Sequence, residues 1–326
     1  MDEFDSIIVS SRIRLARNFS DIVFPNKIKK SADALVVIDR VFGVLKDYEN
    51  YKVKDLSVDT LSSLKEKHLI SEDLTKNHEF GALSLSHDEQ ICVMINEEEH
   101  IREQCILKGF DLDEALARLN EIDDILLENL PIAFSNSYGF LTTCPSNLGT
   151  GLRASVMLFL PALTLSGAIK SLIETLSNVG LTVRGQFGEN TEADGYLYQV
   201  SNCQTLGLSE HQIIDNVKTA VIKICQKELE ARSQLLSANL DELKDKVFRA
   251  YGVLKFAQKM SSTEAINLLS QLKFGVSLGL IESVDIKTID GLLEDVLPST
   301  LRVIYGEEIS NQELEKYRCK YIQQKI

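Results

Sequence analysis

The sequence has 326 residues, of which 44% are apolar and 25% charged, a composition that is typical of a folded globular protein and excludes extended disorder. A formal net charge of −13 argues against general nucleic-acid binding, because contacts to phosphates need a basic surface. The longest apolar stretches are too short for a membrane span, and the N-terminus is acidic where a secretory leader would be basic. We therefore expect neither a membrane protein nor an exported one.

Six cysteines and five histidines occur without the spacing of a metal site. No two cysteines form a CxxC pair, and the histidines do not cluster. In a long chain without a leader, this pattern predicts reduced thiols in the cytoplasm, with no disulfide framework and no bound metal.

The first predicted elements mix strands and helices. In the segment SSRIRLAR, Arg12 and Arg14 alternate and would point to one side of an extended strand. Helical spacing follows over 31–48. Residues 81–96 predict a hairpin, because two short apolar runs flank a polar turn, and 111–129 predict an amphipathic helix.

The middle of the chain continues in the same way. An apolar run over 153–160 is stopped by proline and predicts a strand, and a helix follows over about 164–178. The stretches LTVRGQFG and GYLYQVSN predict two further strands joined by an acidic loop. Ser209 and Gln212 have the spacing of a capping box and would open a long helix.

From about residue 235 only helical periods remain. The pattern predicts a mixed α-and-β region over residues 1–232 and an all-helical domain over residues 233–326.

Five arginines lie in tight sequence contexts rather than scattered over helix faces. They are Arg12, Arg14, Arg102, Arg153 and Arg184. Guanidinium groups that converge in glycine-bearing loops can bind a polyphosphate bidentately and neutralise charge on a transferring phosphoryl group. Taken singly, each arginine is more often a surface or salt-bridge residue.

Carboxylates and one cysteine complete the candidates. The acidic run at 97–99 follows a predicted strand, where a carboxylate can bind a cation or deprotonate a nucleophile, although such a run is more often a solvated turn. Glu189 and Glu192 form a second carboxylate pair. Cys144 opens the loop CPSNLGTGLR; a nearby arginine and free backbone N–H groups would favour a thiolate, whereas a buried apolar cysteine is the commoner case.

None of the common ATP-binding motifs occurs. The sequence lacks GxxxxGK[ST], HRD and DFG, so a nucleotide would have to be bound by another architecture.

Five segments, in order, resemble the phosphagen (guanidino) kinase family: SSRIRLAR, NEEEHIR, CPSNLGTGLRASV, RGQFGENTE and SNCQTLGLSE. The match covers about residues 7–232. The resemblance implies an α+β fold in which residues 1–232 form a catalytic domain with an antiparallel sheet flanked by helices. It also implies ATP and Mg²⁺ as cofactors and phosphoryl transfer to a guanidinium group.

Within this family, the chain is most similar to the branch that phosphorylates arginine residues in proteins. SSRIRLAR begins at residue 10, whereas kinases of small guanidino compounds carry a helical domain before it; the helical region after 235 is also typical of this branch. The resemblance implies substrate proteins with exposed arginine, which are marked for degradation under stress. It further implies a homodimer, a zinc-binding activator protein, a Clp-type unfoldase or protease and a heat-shock repressor as partners.

The resemblance also carries over site residues. The implied ATP ligands are Ser10, Ser11, Arg12, Ile13, Arg14, His68, Arg102, Arg153, Ala154, Ser155, Val156, Met157, Arg184, Gly185, Gln186, Phe187, Gly188 and Glu189. Glu98 would hold and deprotonate the acceptor guanidinium, with the Cys144 thiolate beside it. Glu189 and Glu192 would close on the acceptor.

The chain departs from the family pattern at two places. Phe187 stands where many phosphagen kinases have a second arginine. The motif RDxxRA, which forms a regulatory phosphoarginine pocket in this branch, keeps only Arg318 within residues 314–319.

Two other functions remain open. A kinase for free arginine or another small guanidino compound would use the same residues, and ADP release with free L-arginine would reveal it. A non-catalytic adaptor that binds a repressor or a protease complex would not need Glu98, so unchanged cellular function in a Glu98→Ala variant would favour it.

Overall fold

The computed structural model describes residues 4–27, 31–185, 194–306 and 309–326. The strands within these ranges are β1 Ile8–Arg17, β2 Glu49–Lys52, β3 Ala82–Leu85, β4 Ile91–Ile95, β5 Ile101–Lys108, β6 Phe134–Ser135, β7 Gly139–Phe140, β8 Arg153–Phe159, β9 Leu181–Gly185 and β10 Leu197–Asn202. The helices are α1 Ser31–Val44, α2 Val58–Glu66, α3 Glu72–Lys76, α4 Leu112–Asn129, α5 Pro161–Leu165, α6 Ile169–Ser177, α7 Glu210–Phe256, α8 Ser262–Ser277, α9 Ile286–Asp295, α10 Pro298–Tyr305 and α11 Asn311–Lys325.

Eight strands form one sheet in the order β2-β3-β4-β5-β1-β8-β10-β9. Every neighbouring pair is antiparallel, as predicted. Strands β6 and β7 form a separate hairpin just before the loop that begins at Cys144.

The two faces of this sheet differ because side chains alternate along each strand. In β1, Ile13 and Leu15 are fully buried in the main core with apolar residues of α1, α4, α6 and α7. Arg12 and Arg14 therefore point to the opposite face, which we call the polar face. The predicted alternation in SSRIRLAR is confirmed.

Helix α7 connects the sheet to the C-terminal helices without a loop. It begins at the capping box of Ser209 and Gln212, as predicted, and continues to Phe256 with one non-helical residue, Asn239 (φ −138°, ψ 38°). The boundary predicted between residues 232 and 233 thus falls inside this helix. After it, the described residues contain helices and no strand.

The C-terminal helices build a second core against the sheet region. Leucines and valines of α7, α8 and α9 pack in it together with Phe159, Ala162 and Leu197 from the ends of β8 and β10 and the start of α5. The sheet region and the C-terminal helices therefore share buried apolar surface.

The helix predicted over 164–178 is divided into α5 and α6. Gly167 lies between them with φ 73°, a left-handed conformation that is common for glycine and ends a helix. The strand predicted before Pro161 is confirmed, and Pro161 lies in the first turn of α5.

Candidate active site

A row of arginines crosses three neighbouring strands on the polar face. Arg14 in β1 lies directly opposite Arg153 in β8, and Arg12 lies opposite Ser155. Arg102 in β5 is the diagonal neighbour of Arg14. Like charges that face each other across strands destabilise a sheet unless another group offsets them, and a bound anion could do so.

The charges in this row repel one another. Burial, together with Arg102 and Arg153, lowers the pKa of Arg12 to about 10. Burial and the charges of Arg12, Arg102 and Arg153 lower the pKa of Arg14. Burial and the charge of Arg184 lower the pKa of Arg153. All remain protonated at neutral pH. An anion bound here would relieve this repulsion.

Two buried N–H groups of the row have no hydrogen-bond partner. Among the residues that the structure describes, Nε of Arg14 and Nε of Arg153 are buried and donate to no acceptor. Nη2 of Arg153 donates to Ser201 Oγ at 3.0 Å. Because an unpaired buried donor is costly, an anion whose oxygens accept from these N–H groups, such as a phosphate, would stabilise this site.

Two cavities meet at Arg12 and His68. The first, of about 480 Å³, extends past Arg14 to Leu297 of the C-terminal region. The second is a groove of about 1440 Å³ that runs along β1, β8 and β9 and reaches α9. The predicted ATP ligands that line this groove are Ser10, Arg12, His68, Ser155, Met157, Arg184 and Gly185.

Four other predicted ATP ligands have side chains on the apolar face. Ile13, Ala154 and Val156 are fully buried in the main core. Ser11 Oγ donates to the carbonyl of Gly109 at 2.8 Å. Their assignment as nucleotide ligands stays a prediction, and their side chains support the strands.

His68 lies at a strained turn beside the row. Its φ is 61°, which is uncommon for a residue with a Cβ. Gln104 of β5 donates Nε2 to the carbonyl oxygens of His68 and Leu69, both at 2.8 Å, and so holds the turn against the sheet. Burial, aided by the charge of Arg12, lowers the pKa of His68 to about 4, so the ring is neutral at pH 7.

The same turn is fixed from the C-terminal side. Glu66, the last residue of α2, accepts hydrogen bonds from the backbone N–H groups of Ser299 (3.0 Å) and Thr300 (2.7 Å) in the first turn of α10. Glu66 and His68 both line the smaller cavity. The C-terminal helices therefore contact the segment that positions His68.

The three glutamates of the acidic run take three different positions. Both carboxylate oxygens of Glu97 accept from Arg102 Nη1, at 2.7 and 2.8 Å. Glu98 accepts from the same nitrogen at 2.5 Å, and its side chain keeps 32% exposure. Burial raises the pKa of Glu98. The positive charge of Arg102 opposes this shift and the negative charge of Glu97 adds to it, and the net shift is upward. Of the three, Glu98 is the one that a ligand could reach.

Glu99, by contrast, is fully buried and binds the Cys144 loop. Its carboxylate accepts from the backbone N–H groups of Thr143 (2.7 Å) and Cys144 (3.0 Å) and from Asn147 Nδ2 (3.1 Å). We expected free backbone N–H groups in this loop to favour a thiolate, but those of Thr143 and Cys144 are already hydrogen-bonded to Glu99. The Cys144 thiol is half-buried, and its sulfur lies 3.0 Å from Ser146 Oγ.

The remaining predicted site residues are those within 186–192 and Arg318. Gln186, Phe187, Gly188, Glu189 and Glu192 lie outside the described residues. Arg318 is buried among the C-terminal helices and donates to the carbonyl oxygens of Val296 and Met260, both at 2.8 Å. Arg318 thus ties helices together; a phosphoarginine pocket there stays a prediction.

Arg17 and Glu99 were missed at the level of sequence. Arg17 is buried and donates to the Thr150 carbonyl, so it holds the far end of the Cys144 loop. Alternation could have identified it, because an arginine two positions after Leu15 falls on the apolar face of β1. Nothing in the acidic run distinguishes Glu99 from its neighbours.

Two family models match the chain. Residues 30–231 match the ATP:guanido phosphotransferase C-terminal catalytic domain, and residues 240–326 match the protein-arginine kinase McsB C-terminal domain. Together the two matches cover most of the chain.

Relatives resemble the chain over nearly its full length. The protein-arginine kinase of Clostridium kluyveri is 42% identical over 327 residues, which are 98% of this chain and 94% of that protein. That of Clostridium acetobutylicum is 40% identical over 334 residues, 99% of this chain and 96% of the relative.

Solved structures of two guanidino kinases share the fold. A duplicated taurocyamine kinase from Schistosoma mansoni, with transition-state analogue components bound, superposes with a TM-score of 0.62 at 29% identity over 69% of this chain and 33% of that one. A lombricine kinase gives a TM-score of 0.60 at 24% identity, over 72% of this chain and 68% of that one. The second likeness supports the fold alone.

Proposed function

The chain belongs to the ATP:guanido phosphotransferase family and, within it, to the protein-arginine kinases, and from this we propose that it transfers the γ-phosphoryl group of ATP to arginine side chains of proteins. The product is phosphoarginine in a polypeptide. The observation that carries this proposal is the row of buried, mutually repelling arginines on the polar face of the sheet.

The row acts on the phosphate side of the reaction. Arg12, Arg14 and Arg153 bind the phosphates and offset the charge that develops during transfer. Ser155 and Gln199 support them, since Gln199 Nε2 donates to Ser155 Oγ at 3.0 Å and Arg12 Nε lies 3.4 Å from that oxygen. Arg102 is held by glutamates and reaches the phosphates if it exchanges one of these contacts for them.

Glu98 and Cys144 act on the acceptor side. A guanidinium group is protonated at any ordinary pH and becomes a nucleophile only as it loses a proton. Glu98 can bind it and take that proton, and its raised pKa makes it a stronger base. The Cys144 thiol, which is partly accessible, aligns one nitrogen of the acceptor.

Mg²⁺ is proposed to enter with ATP. Among the described residues, no group of three or more His, Cys, Asp and Glu side chains is arranged to hold a metal ion. A magnesium ion that is bound mainly through substrate phosphates needs no such cage. When bound, the ion would offset negative charge on the phosphates, and the arginines of the row would bind the phosphate oxygens from the protein side.

The same proposal assigns a separate role to each of the two domains. Residues 1–232 carry the catalytic groups, and residues 233–326 serve dimerisation, substrate binding or regulation.

None of the described helices is long and apolar enough to cross a bilayer.

The cellular role is proposed from the family relation. Phosphoarginine would mark unfolded proteins for degradation under stress, in the cytoplasm. The partners would be a zinc-binding activator protein, a Clp-type unfoldase or protease and a heat-shock repressor. The enzyme would be a homodimer.

The test is to incubate the pure protein with ATP, Mg²⁺ and an unfolded, arginine-rich protein. We expect acid-labile phosphoarginine, found by mass spectrometry with acid-sparing handling, and none with Glu98→Ala. Faster ADP release with free L-arginine than with the protein substrate would identify a small-molecule kinase instead. No product, even with the activator supplied, would identify an adaptor.

A further inference from the structure

Glu99 is a buried carboxylate with all its acceptor positions filled. Oε1 accepts from Cys144 N (3.0 Å) and Asn147 Nδ2 (3.1 Å), and Oε2 accepts from Asn18 Nδ2 (2.6 Å) and Thr143 N (2.7 Å). The residue is 0% exposed. A carboxylate offers about four lone-pair positions, and four N–H donors therefore compensate its charge.

Three of these four donors belong to the segment at 143–147, which carries the catalytic thiol. The fourth, Asn18, also accepts from His100 N at 2.8 Å and donates to the Leu141 carbonyl at 3.2 Å. Asn18 follows β1, and Glu99 precedes β5, so this one cluster joins two central strands to the loop.

The chain places Glu98 next to Glu99. Glu98 and Cys144 are 46 positions apart in sequence, yet Glu98 is one peptide bond from a carboxylate that is hydrogen-bonded to the Cys144 backbone. The relative position of the base and the thiol thus depends on Glu99. A displacement of reacting groups by about 1 Å can lower a rate by roughly a hundredfold.

We propose that Glu99 is a positioning residue that holds the Cys144 loop against the strand end bearing Glu98, so that both groups contact the same acceptor guanidinium. This inference rests on the proposed function. Glu99 itself is buried and touches no substrate. Its role is to set the geometry of the acceptor side without altering the phosphate side.

The first test is Glu99→Gln. The glutamine NH₂ group would face N–H donors of the loop, which must then move away. We expect kcat to fall by at least about tenfold while KM for ATP changes less than about threefold, because the arginine row is untouched. Glu99→Asp keeps the charge at shorter reach and should recover part of kcat. Unchanged kcat in Glu99→Gln, or an equal loss in kcat and in ATP binding, would overturn the proposal.

The matched control is Glu228→Gln. Glu228 is also fully buried and accepts backbone N–H groups, of Ala162 (3.0 Å) and Leu163 (2.9 Å), away from the Cys144 loop. The same change should lower stability there and leave kcat of the folded protein within about twofold of wild type. A similar loss of kcat in the control would mean that Glu99 acts through general stability alone.

Asn147→Ala serves if Glu99→Gln does not fold. It removes one donor to Glu99, and we expect a smaller fall in kcat, about threefold to tenfold, again with KM for ATP nearly constant. An unchanged kcat in Asn147→Ala would overturn the proposal.

Amide hydrogen exchange tests the geometry without any activity. Peptides that contain Thr143 and Cys144 should exchange slowly in wild type and at least about tenfold faster in Asn147→Ala or Glu99→Gln. Fast exchange in wild type would overturn the positioning role. Slow exchange in a protein that makes no phosphoarginine would instead show that the proposed function fails although Glu99 holds the Cys144 loop.

Discussion

Arg17 and Asp123 form a buried, bidentate ion pair beneath the active-site loop. Nε of Arg17 donates to Asp123 Oδ1 at 2.9 Å and Nη2 donates to Oδ2 at 2.7 Å, and the side chains are 1% and 8% exposed. Nη1 donates to the carbonyls of Ala16 (2.9 Å) and Thr150 (3.0 Å). The Phe140 ring covers the guanidinium at 3.5 Å. One side chain thus ties α4, β1, the hairpin and the loop together.

Loss of one partner of the Arg17–Asp123 ion pair should lower the stability of the fold. Asp123→Asn removes the negative charge beside the buried guanidinium and replaces one of its two acceptor oxygens with an NH₂ donor, and we expect the free energy of unfolding to fall by about 3 kcal/mol in urea titrations. Asp21→Asn is the matched control, because its pair with Arg40 is solvent-exposed (2.9 Å), and it should cost less than about 1 kcal/mol. Equal effects of the two changes would contradict this description of the pair.

The acceptor side and the phosphate side should separate kinetically. Cys144→Ser should lower kcat strongly while the affinity for ATP changes little, since the thiol lies on the acceptor side. Arg153→Ala removes a phosphate ligand and should raise KM for ATP and lower kcat together, by about tenfold or more. Steady-state phosphorylation and equilibrium nucleotide binding check both. Comparable effects of the two variants on ATP affinity would refute the separation.

As the pH is lowered, activity should be lost at a pH above the ordinary pKa of a glutamate. Burial raises the pKa of Glu98 from 4.5, and Glu98 must be ionised to bind and deprotonate the acceptor. The acid limb of kcat/KM should therefore lie above pH 4.5. In Glu97→Gln the limb should move to lower pH, because the Glu97 charge that disfavours ionised Glu98 is gone. A shift to higher pH would show that Glu98 is not the base.

Two histidines should remain neutral well below pH 6.5. Burial lowers the pKa of His68 and of His100 to about 4. NMR titration of the ring protons from pH 8 to pH 5.5 should leave both unshifted, whereas a midpoint near 6.5 for either would contradict the structure. Since the unfolded chain binds these protons near pH 6.5, stability rises with pH from about 4 to 6.5. Acidification through that whole window should cost about 3 kcal/mol of stability for each histidine.

The contact between Glu66 and α10 should influence ATP binding. Glu66→Gln weakens a charged cap on the N–H groups of Ser299 and Thr300, next to the His68 turn. We expect KM for ATP to rise by about threefold to tenfold and the free energy of unfolding to fall by about 1 kcal/mol. Asp59→Asn breaks the Arg302 pair of the same interface (3.0 Å) and should change KM by less than about twofold. If both variants raise KM alike, the effect is not specific to Glu66.

Local signals predicted the elements of the fold well. The alternation of Arg12 and Arg14, the hairpin over 81–96 and the capping box at Ser209 each depend on neighbouring residues, and each is confirmed. The division of the predicted 164–178 helix escaped because a single glycine is tolerated inside many helices.

The long-range contacts of the site could not be predicted in this way. Glu99 binds residues 44–48 positions later, and Glu66 binds α10 more than 230 positions later. No periodicity encodes such pairs, because they arise when separate elements fold against one another. The resemblance had singled out Glu98, but the contacts of Glu97 with Arg102 and of Glu99 with the Cys144 loop became visible only in the structure.

The continuity of α7 has a consequence for anyone who wishes to isolate the catalytic half. A chain cut after residue 232 would end in mid-helix and would lose the partners that cover Phe159, Ala162 and Leu197. These side chains would meet water, and the fragment should aggregate rather than behave as a minimal kinase. The sheet and the C-terminal helices should accordingly be expressed together as one piece.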